Sequence, residues 1–293
     1  MKTRNEKEIL DLINEFAETD TRIRVVILNG SRANPNPKKD IFQDYDIACY
    51  TTDVEPYKIE KDVVPYFGET IIVEQPNIGP WPPHNADGSC HNYNIQFMDG
   101  NRIDLSFFNI DSLEEHTKDS LSIVLIDKDV LYKNLQPASE KSYFITTLTK
   151  DLYNGCCTAF FFAIGSHIPK TIWREKLPLL KSFIEGWLRE PVQLMLSWEI
   201  GFKTGFNKSI GEKGKYLQQF LEPEKWEMYV KTYVDSDFER IWDSIFLFHE
   251  IFTQSAKIIA KEYNYQFPKE NSSKVLSFLN HVRSLPSDAE SIY

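Results

Sequence analysis

Long apolar runs are missing from this chain of 293 residues. The longest, from about Cys156 to Ile164, falls far short of the roughly 20 residues that a membrane helix needs. Nor does an apolar stretch follow Met1-Lys2-Thr3-Arg4-Asn5-Glu6-Lys7-Glu8, so no signal peptide is expected. Cysteine is scarce: Cys49, Cys90, Cys156 and Cys157 make no CxxC spacing, and reduced thiols in a bacterial-type cytoplasm follow. The six histidines, His84, His91, His116, His167, His249 and His281, show no zinc spacing. Basic charge is short as well. With 33 Lys and Arg against 43 Asp and Glu the formal charge is −10, which argues against a nucleic-acid polymer as partner and draws cationic small molecules. The 12 Gly and 15 Pro are too few and too scattered for collagen or a low-complexity chain. Ser31 has no GxSxG context, and Gly211-Glu212-Lys213-Gly214-Lys215 misses the P-loop spacing.

What is present is a large supply of core. Apolar residues make up 42 %, including 20 Phe, 14 Tyr and 6 Trp, which excludes disorder as the main state. The length suits two domains. Ile9, Leu10, Leu12, Ile13 and Phe16 recur at helical spacing over 5–17. Short β-branched or alternating runs then predict strands over 23–28, 46–50, 71–74, 93–98, 102–108, 123–126 and 130–132. Asp99-Gly100 between two of them signals a hairpin. Gln75 to His91, rich in proline and holding Trp81, is too long for an ordinary connection, and His84 and His91 read as surface residues there.

After Gln136-Pro137 the period changes to three and four. Helices are predicted over 142–164, 170–188, 191–203, 213–220, 224–234, 237–263 and 271–284, with Phe160-Phe161-Phe162 in the core. The fold class is therefore α+β: a small mixed β-sheet domain over 1–138, then a helical, bundle-like domain over 139–293.

The chemistry concentrates in the first domain. A strand ending in Asn29-Gly30-Ser31-Arg32 delivers a tight turn. Its backbone N–H groups can face an anion, Gly30 lets a phosphate come close, Ser31 adds a hydroxyl and Arg32 a positive charge. Asp44 and Asp46, at i and i+2, point the same way from a strand. Two such carboxylates are tolerated where a hard cation such as Mg2+ sits between them. In Arg102-Ile103-Asp104-Leu105-Ser106-Phe107 the apolar residues take one face and leave Asp104 on the other.

In this order, Gly30-Ser31, Asp44-Tyr45-Asp46 and Asp104 resemble the nucleotidyltransferase pattern of the DNA-polymerase-β type. The fuller strings, Leu28-Asn29-Gly30-Ser31-Arg32, Phe42-Gln43-Asp44-Tyr45-Asp46-Ile47 and Arg102-Ile103-Asp104-Leu105, are similar to the aminoglycoside 6-adenylyltransferases. So are Trp173-Arg174-Glu175, Met195-Leu196-Ser197-Trp198 and Gly211 to Leu217 in the helical half. The resemblance implies transfer of AMP from ATP to the 6-hydroxyl of streptomycin, with Mg2+ and release of pyrophosphate, in the cytoplasm and without nucleic acid or membrane. It implies that Asp44 and Asp46 hold metal, and that Asp104 is a metal ligand, the base, or both. It also implies contact of the triphosphate with Gly30, Ser31 and Arg32 and with Lys213 or Lys215. Glu175, Glu185, Glu199, Trp173 and Trp198 are available for the guanidinium groups of such an acceptor. Two alternatives stay open: a nucleotidyltransferase acting on another small molecule, a protein or tRNA, and a non-catalytic nucleotide-binding module.

Overall fold

The computed structural model describes residues 2–36, 39–77, 90–116, 118–132 and 136–293. The chain divides into two compact units, Met1–Ser142 and Tyr143–Tyr293. The proline-rich stretch with Trp81 and His84 lies for the most part outside the described residues.

The first unit is built on a mixed sheet. Its strands are β1 (Ile23–Asn29), β2 (Tyr45–Thr51), β3 (Thr70–Glu74), β4 (Cys90–Phe97), β5 (Arg102–Asn109) and β6 (Ser122–Asp127). They lie in the order β3-β4-β5-β2-β1-β6, with β2 and β5 parallel and the other neighbours antiparallel. Helix α1 (Glu6–Thr19) covers one face. Asn5 caps it, accepting from the Glu8 N–H at 3.0 Å while Glu8 accepts from the Asn5 N–H at 2.7 Å. Ile9, Ile13 and Ala17, one turn apart, then face the sheet. Beneath them Tyr57 stacks on Phe107 with ring centroids 3.9 Å apart. Val25, Ile27, Ala48 and Tyr50 fill the opposite face, so the central strands are apolar on both sides. The short helices α2 (Gly30–Ala33), α3 (Val63–Tyr66) and α4 (Leu113–His116) complete the unit.

Two readings of the sheet half are corrected. Val130 to Tyr132 is no strand: Val130 has a φ of 54°, and the Asp127 carboxylate accepts from the N–H groups of Leu131 and Tyr132 at 3.0 and 2.8 Å. That local bonding competes with a ladder and wins. His91 is not on the surface but fully buried on β4, edge-on to Tyr93. Neither ring nitrogen has a partner among the described residues. Burial holds His91 below the usual histidine range. Its unfolded form therefore takes a proton first, near pH 6.5, and the stability it contributes is lost as pH falls. We expect the unfolding midpoint of the wild type to fall between pH 7 and pH 5 relative to that of His91→Phe. An unchanged slope in the variant overturns this.

The second unit is helical: α5 (Lys150–Phe162), α6 (Ile168–Trp173), α7 (Leu177–Phe183), α8 (Glu190–Thr204), α9 (Pro223–Val230), α10 (Phe238–Glu262) and α11 (Lys269–Ser284). Helix α10 runs through the core, where Phe160 stacks on Phe252 at 3.9 Å. Phe162, expected in that core, is 64 % exposed. The predicted helix over 170–188 is broken at 174–176, because Pro178 in the first turn of α7 supplies no N–H to carry the helix through. Wider π-turns at Ala163–His167 and Ile184–Arg189 lead into Pro169 and Pro191, whose missing N–H groups leave carbonyls to be rebonded. The predicted helix over 213–220 is two separate 3-10 turns. Gly211, Lys213 and Gly214 there have φ of 71°, 49° and 76°, values that no right-handed helix holds.

Candidate active site

Three carboxylates converge where β1 ends and β2 and β5 begin. In the ladder Asn29 faces Asp46, and Asp46 faces Asp104 across the parallel pair. Register alone thus places two of the acids side by side. Asp44 stands one residue before β2, and its side chain turns to the same point. Oxygens of Asp44, Asp46 and Asp104 all lie within 4.8 Å of one another, the one such cluster found among the described residues. Alternation sends Ile103, Leu105 and Phe107 into the core and leaves Asp104 on the other face.

Gathered negative charge shows in the electrostatics. Burial, with Asp44 and then Asp104 beside it, pushes the Asp46 carboxyl up to about 6. Arg102 offsets part of this. It holds Asp104 in a two-pronged pair, Nε to Oδ1 at 2.8 Å and Nη2 to Oδ2 at 2.6 Å. Arg102 was not singled out in the sequence, although its i, i+2 spacing from Asp104 puts both on one strand face. Three hard oxygen donors around uncompensated charge suit a divalent cation such as Mg2+.

The glycine-serine turn meets this cluster directly. Gly30 has a φ of 69°, and a Cβ there would stand 3.1 Å from the Asp46 Cγ and overlap its Oδ2. The glycine is needed because a carboxylate occupies the space a side chain would take. Its N–H is not offered to an anion, since it donates to the Leu121 carbonyl at 3.1 Å. No hydrogen bond of the Ser31 hydroxyl is seen among the described residues.

Arg32 is placed otherwise than the sequence suggests. Its guanidinium donates to the carbonyls of Asp44 and Gln43 at 2.9 and 2.7 Å and lies 3.7 Å over the Tyr45 ring. Lys213 and Lys215 belong to the second unit. Lys213 lies 3.5 Å from Glu190, and Lys215 extends over the Tyr216 ring. Gln193 fixes their loop by donating to the Lys213 carbonyl at 2.9 Å.

Several of the suggested acceptor contacts are otherwise engaged. Trp198 and Glu199 are buried, and Glu199 is paired with Lys225 at 2.7 Å and Lys203 at 2.9 Å. Glu185 pairs with Arg189, and the Trp173 indole donates to the Pro286 carbonyl. Glu175 is exposed. A groove of about 660 Å³ in this unit instead presents Asp151, Phe162, His167, Trp187, Glu190 and Leu194.

Acids gathered on two parallel neighbours, with a Gly-Ser turn leading out of the strand alongside, define the nucleotidyltransferase class of enzymes, to which this chain is assigned. The family model described as streptomycin adenylyltransferase matches residues 3–282, and the chain belongs to that family. Aminoglycoside 6-adenylyltransferases from Bacillus subtilis and Staphylococcus aureus are each 30% identical over 268 residues, 90% of this chain, and 93% and 94% of their own lengths. One from Campylobacter jejuni is 30% identical over 266 residues, 90% of this chain and 91% of its own length. A crystal structure of an aminoglycoside 6-adenyltransferase from Bacillus subtilis aligns with 96% of this chain and 100% of that chain, at 26% identity and a TM-score of 0.47. No helix among the described residues is long and apolar enough to cross a membrane.

Proposed function

We propose that the protein transfers AMP from ATP to the 6-hydroxyl of streptomycin. The convergence of Asp44, Asp46 and Asp104 beside Gly30 and Ser31 carries this reading. Family membership supports an aminoglycoside as acceptor. Asp44, Asp46 and Asp104 would hold Mg2+, which would supply charge neutralisation at the triphosphate. The acceptor oxygen bonds to the α-phosphorus, the bond to the β-phosphate oxygen breaks, and pyrophosphate leaves. Asp104, its side chain 23% exposed, takes the proton of the attacking hydroxyl, with Arg102 orienting its carboxylate. The Ser31 hydroxyl donates to a phosphate oxygen. Asp151 beside Trp187 and Phe162 offers a carboxylate and aromatic faces of the kind that guanidinium groups take. The use of ATP, and four free cysteines that a reducing compartment would keep as thiols, support a cytoplasmic location.

Pyrophosphate release from ATP and Mg2+ with streptomycin, kanamycin or spectinomycin tests the reading. Release is expected with streptomycin, and a rate no higher than the blank without acceptor overturns it. Ser31→Ala removes one hydrogen bond to a charged group, about 1.5–3 kcal/mol, and is expected to lower kcat/KM about 10- to 150-fold. A normal kcat/KM in that variant removes Ser31 from the phosphate site.

A further inference from the structure

Arg32 follows the glycine-serine turn, where a positive charge would ordinarily be assigned to phosphate. Its side chain is only 9% exposed, and its hydrogen-bonding edges are already directed elsewhere. Nε donates to the Asp44 carbonyl at 2.9 Å and Nη2 to the Gln43 carbonyl at 2.7 Å. The flat face covers the Tyr45 ring at 3.7 Å, and Nη1 lies 3.8 Å from a Glu6 oxygen. Gln43 returns a hydrogen bond from its side chain to the Ser31 carbonyl at 3.4 Å. A carboxylate on the remaining edge repels a triphosphate rather than inviting one.

The three acids are not equally secured. Asp46 and Asp104 sit inside the ladder, opposite one another. The ladder begins at Tyr45 with Ile103, so Asp44 stands outside it. Arg32 grips the two peptides just beyond that edge. Only a planar fork can bridge two neighbouring carbonyls and stack on a ring at once.

We infer that Arg32 is a positioning residue which fixes the Asp44 peptide, and through it the metal-holding geometry of the three carboxylates, and that it does not bind the nucleotide. The inference rests on the reading of that cluster as a Mg2+ site. It ties the turn after β1 to the acids at the start of β2, so the two halves of the site move as one piece.

The test uses the full chain with Mn2+ alone as probe, its binding followed by electron paramagnetic resonance, alongside steady-state kinetics with ATP. Arg32→Lys keeps the charge and loses the fork, and Arg32→Met loses both. Both variants are expected to bind Mn2+ about tenfold more weakly and to lose kcat in proportion. Their KM for ATP should stay within about threefold, since no nucleotide contact is removed. Thermal unfolding without metal shows that the variants are folded, and Arg32→Lys serves alone if Arg32→Met is not. Wild-type Mn2+ affinity and kcat in Arg32→Lys overturn the inference, as does a variant whose main change is a higher KM for ATP. Wild-type protein that binds no Mn2+ overturns the metal reading and takes this inference with it.

Discussion

Asp46→Asn is expected to cut turnover at least about a thousandfold while making the metal-free protein more stable at neutral pH. On the proposed Mg2+ reading, the loss follows from removing a ligand whose metal would lower the barrier by several kcal/mol, about 4 for that factor. The gain follows from what the carboxylate endures without metal. Its folded-state value is raised to about 6 from an ordinary 3.8, by burial first and by Asp44 and Asp104 next. Between those values the folded chain holds a proton that the unfolded chain has lost, so stability declines as pH rises and the full penalty is present above about pH 6. Asparagine carries no charge and escapes it. The expected gain, reduced for partial exposure, is about 1–2 kcal/mol at pH 7.5 and vanishes below pH 4. Chemical denaturation in chelator at the two pH values measures it. Near-normal turnover in the variant, or equal stabilities at pH 7.5, removes Asp46 from the metal-holding role.

Gly30→Ala is the second large effect, expected at about 100-fold in kcat. A single methyl there overlaps the Asp46 carboxylate, so the acid must swing away from Asp44 and Asp104. A shift of about 1 Å in a reacting group costs about that factor. The left-handed backbone adds strain of about 1–2 kcal/mol, which lowers the unfolding midpoint as well. The N–H bond to Leu121 survives the change, so the turn itself stays closed. Kinetics of the variant beside Ser31→Ala separates the two residues. If Gly30→Ala keeps wild-type kcat, the contact with Asp46 is not what requires glycine.

The sheet half was legible where side-chain alternation and burial agree. The alternation of Ile103, Asp104, Leu105 and Phe107 announced a strand with one acid facing away from the core, and β5 has that pattern. The placing of Asp44, Asp46 and Asp104 together rested on side-chain faces and on the family resemblance, since nothing in the order of the strands announces that β2 pairs with β5. For Arg32 the sequence shows a charge but not what already holds it. Its bonds run to main-chain carbonyls, which leave no mark on residue types. The same holds for His91, whose neighbours suggested a loop while its partner across the sheet, Phe107, lies far along the chain. In the helical half the pattern of apolar residues gave most of the helices but not their interruptions. Those at 174–176 and 211–214 come from proline and from left-handed residues, which periodicity does not weigh.

The parallel pairing of β2 with β5 has a kinetic consequence. Strands joined this way are brought together late, because a long stretch of chain must close before the pairing repays it. In this sheet the pairing also forces Asp46 against Asp104, so charge repulsion grows as the two strands meet. Folding of the free chain should therefore slow as Asp46 ionises. A divalent cation that meets both carboxylates during that step would quicken it, acting on the barrier to folding before any substrate is bound.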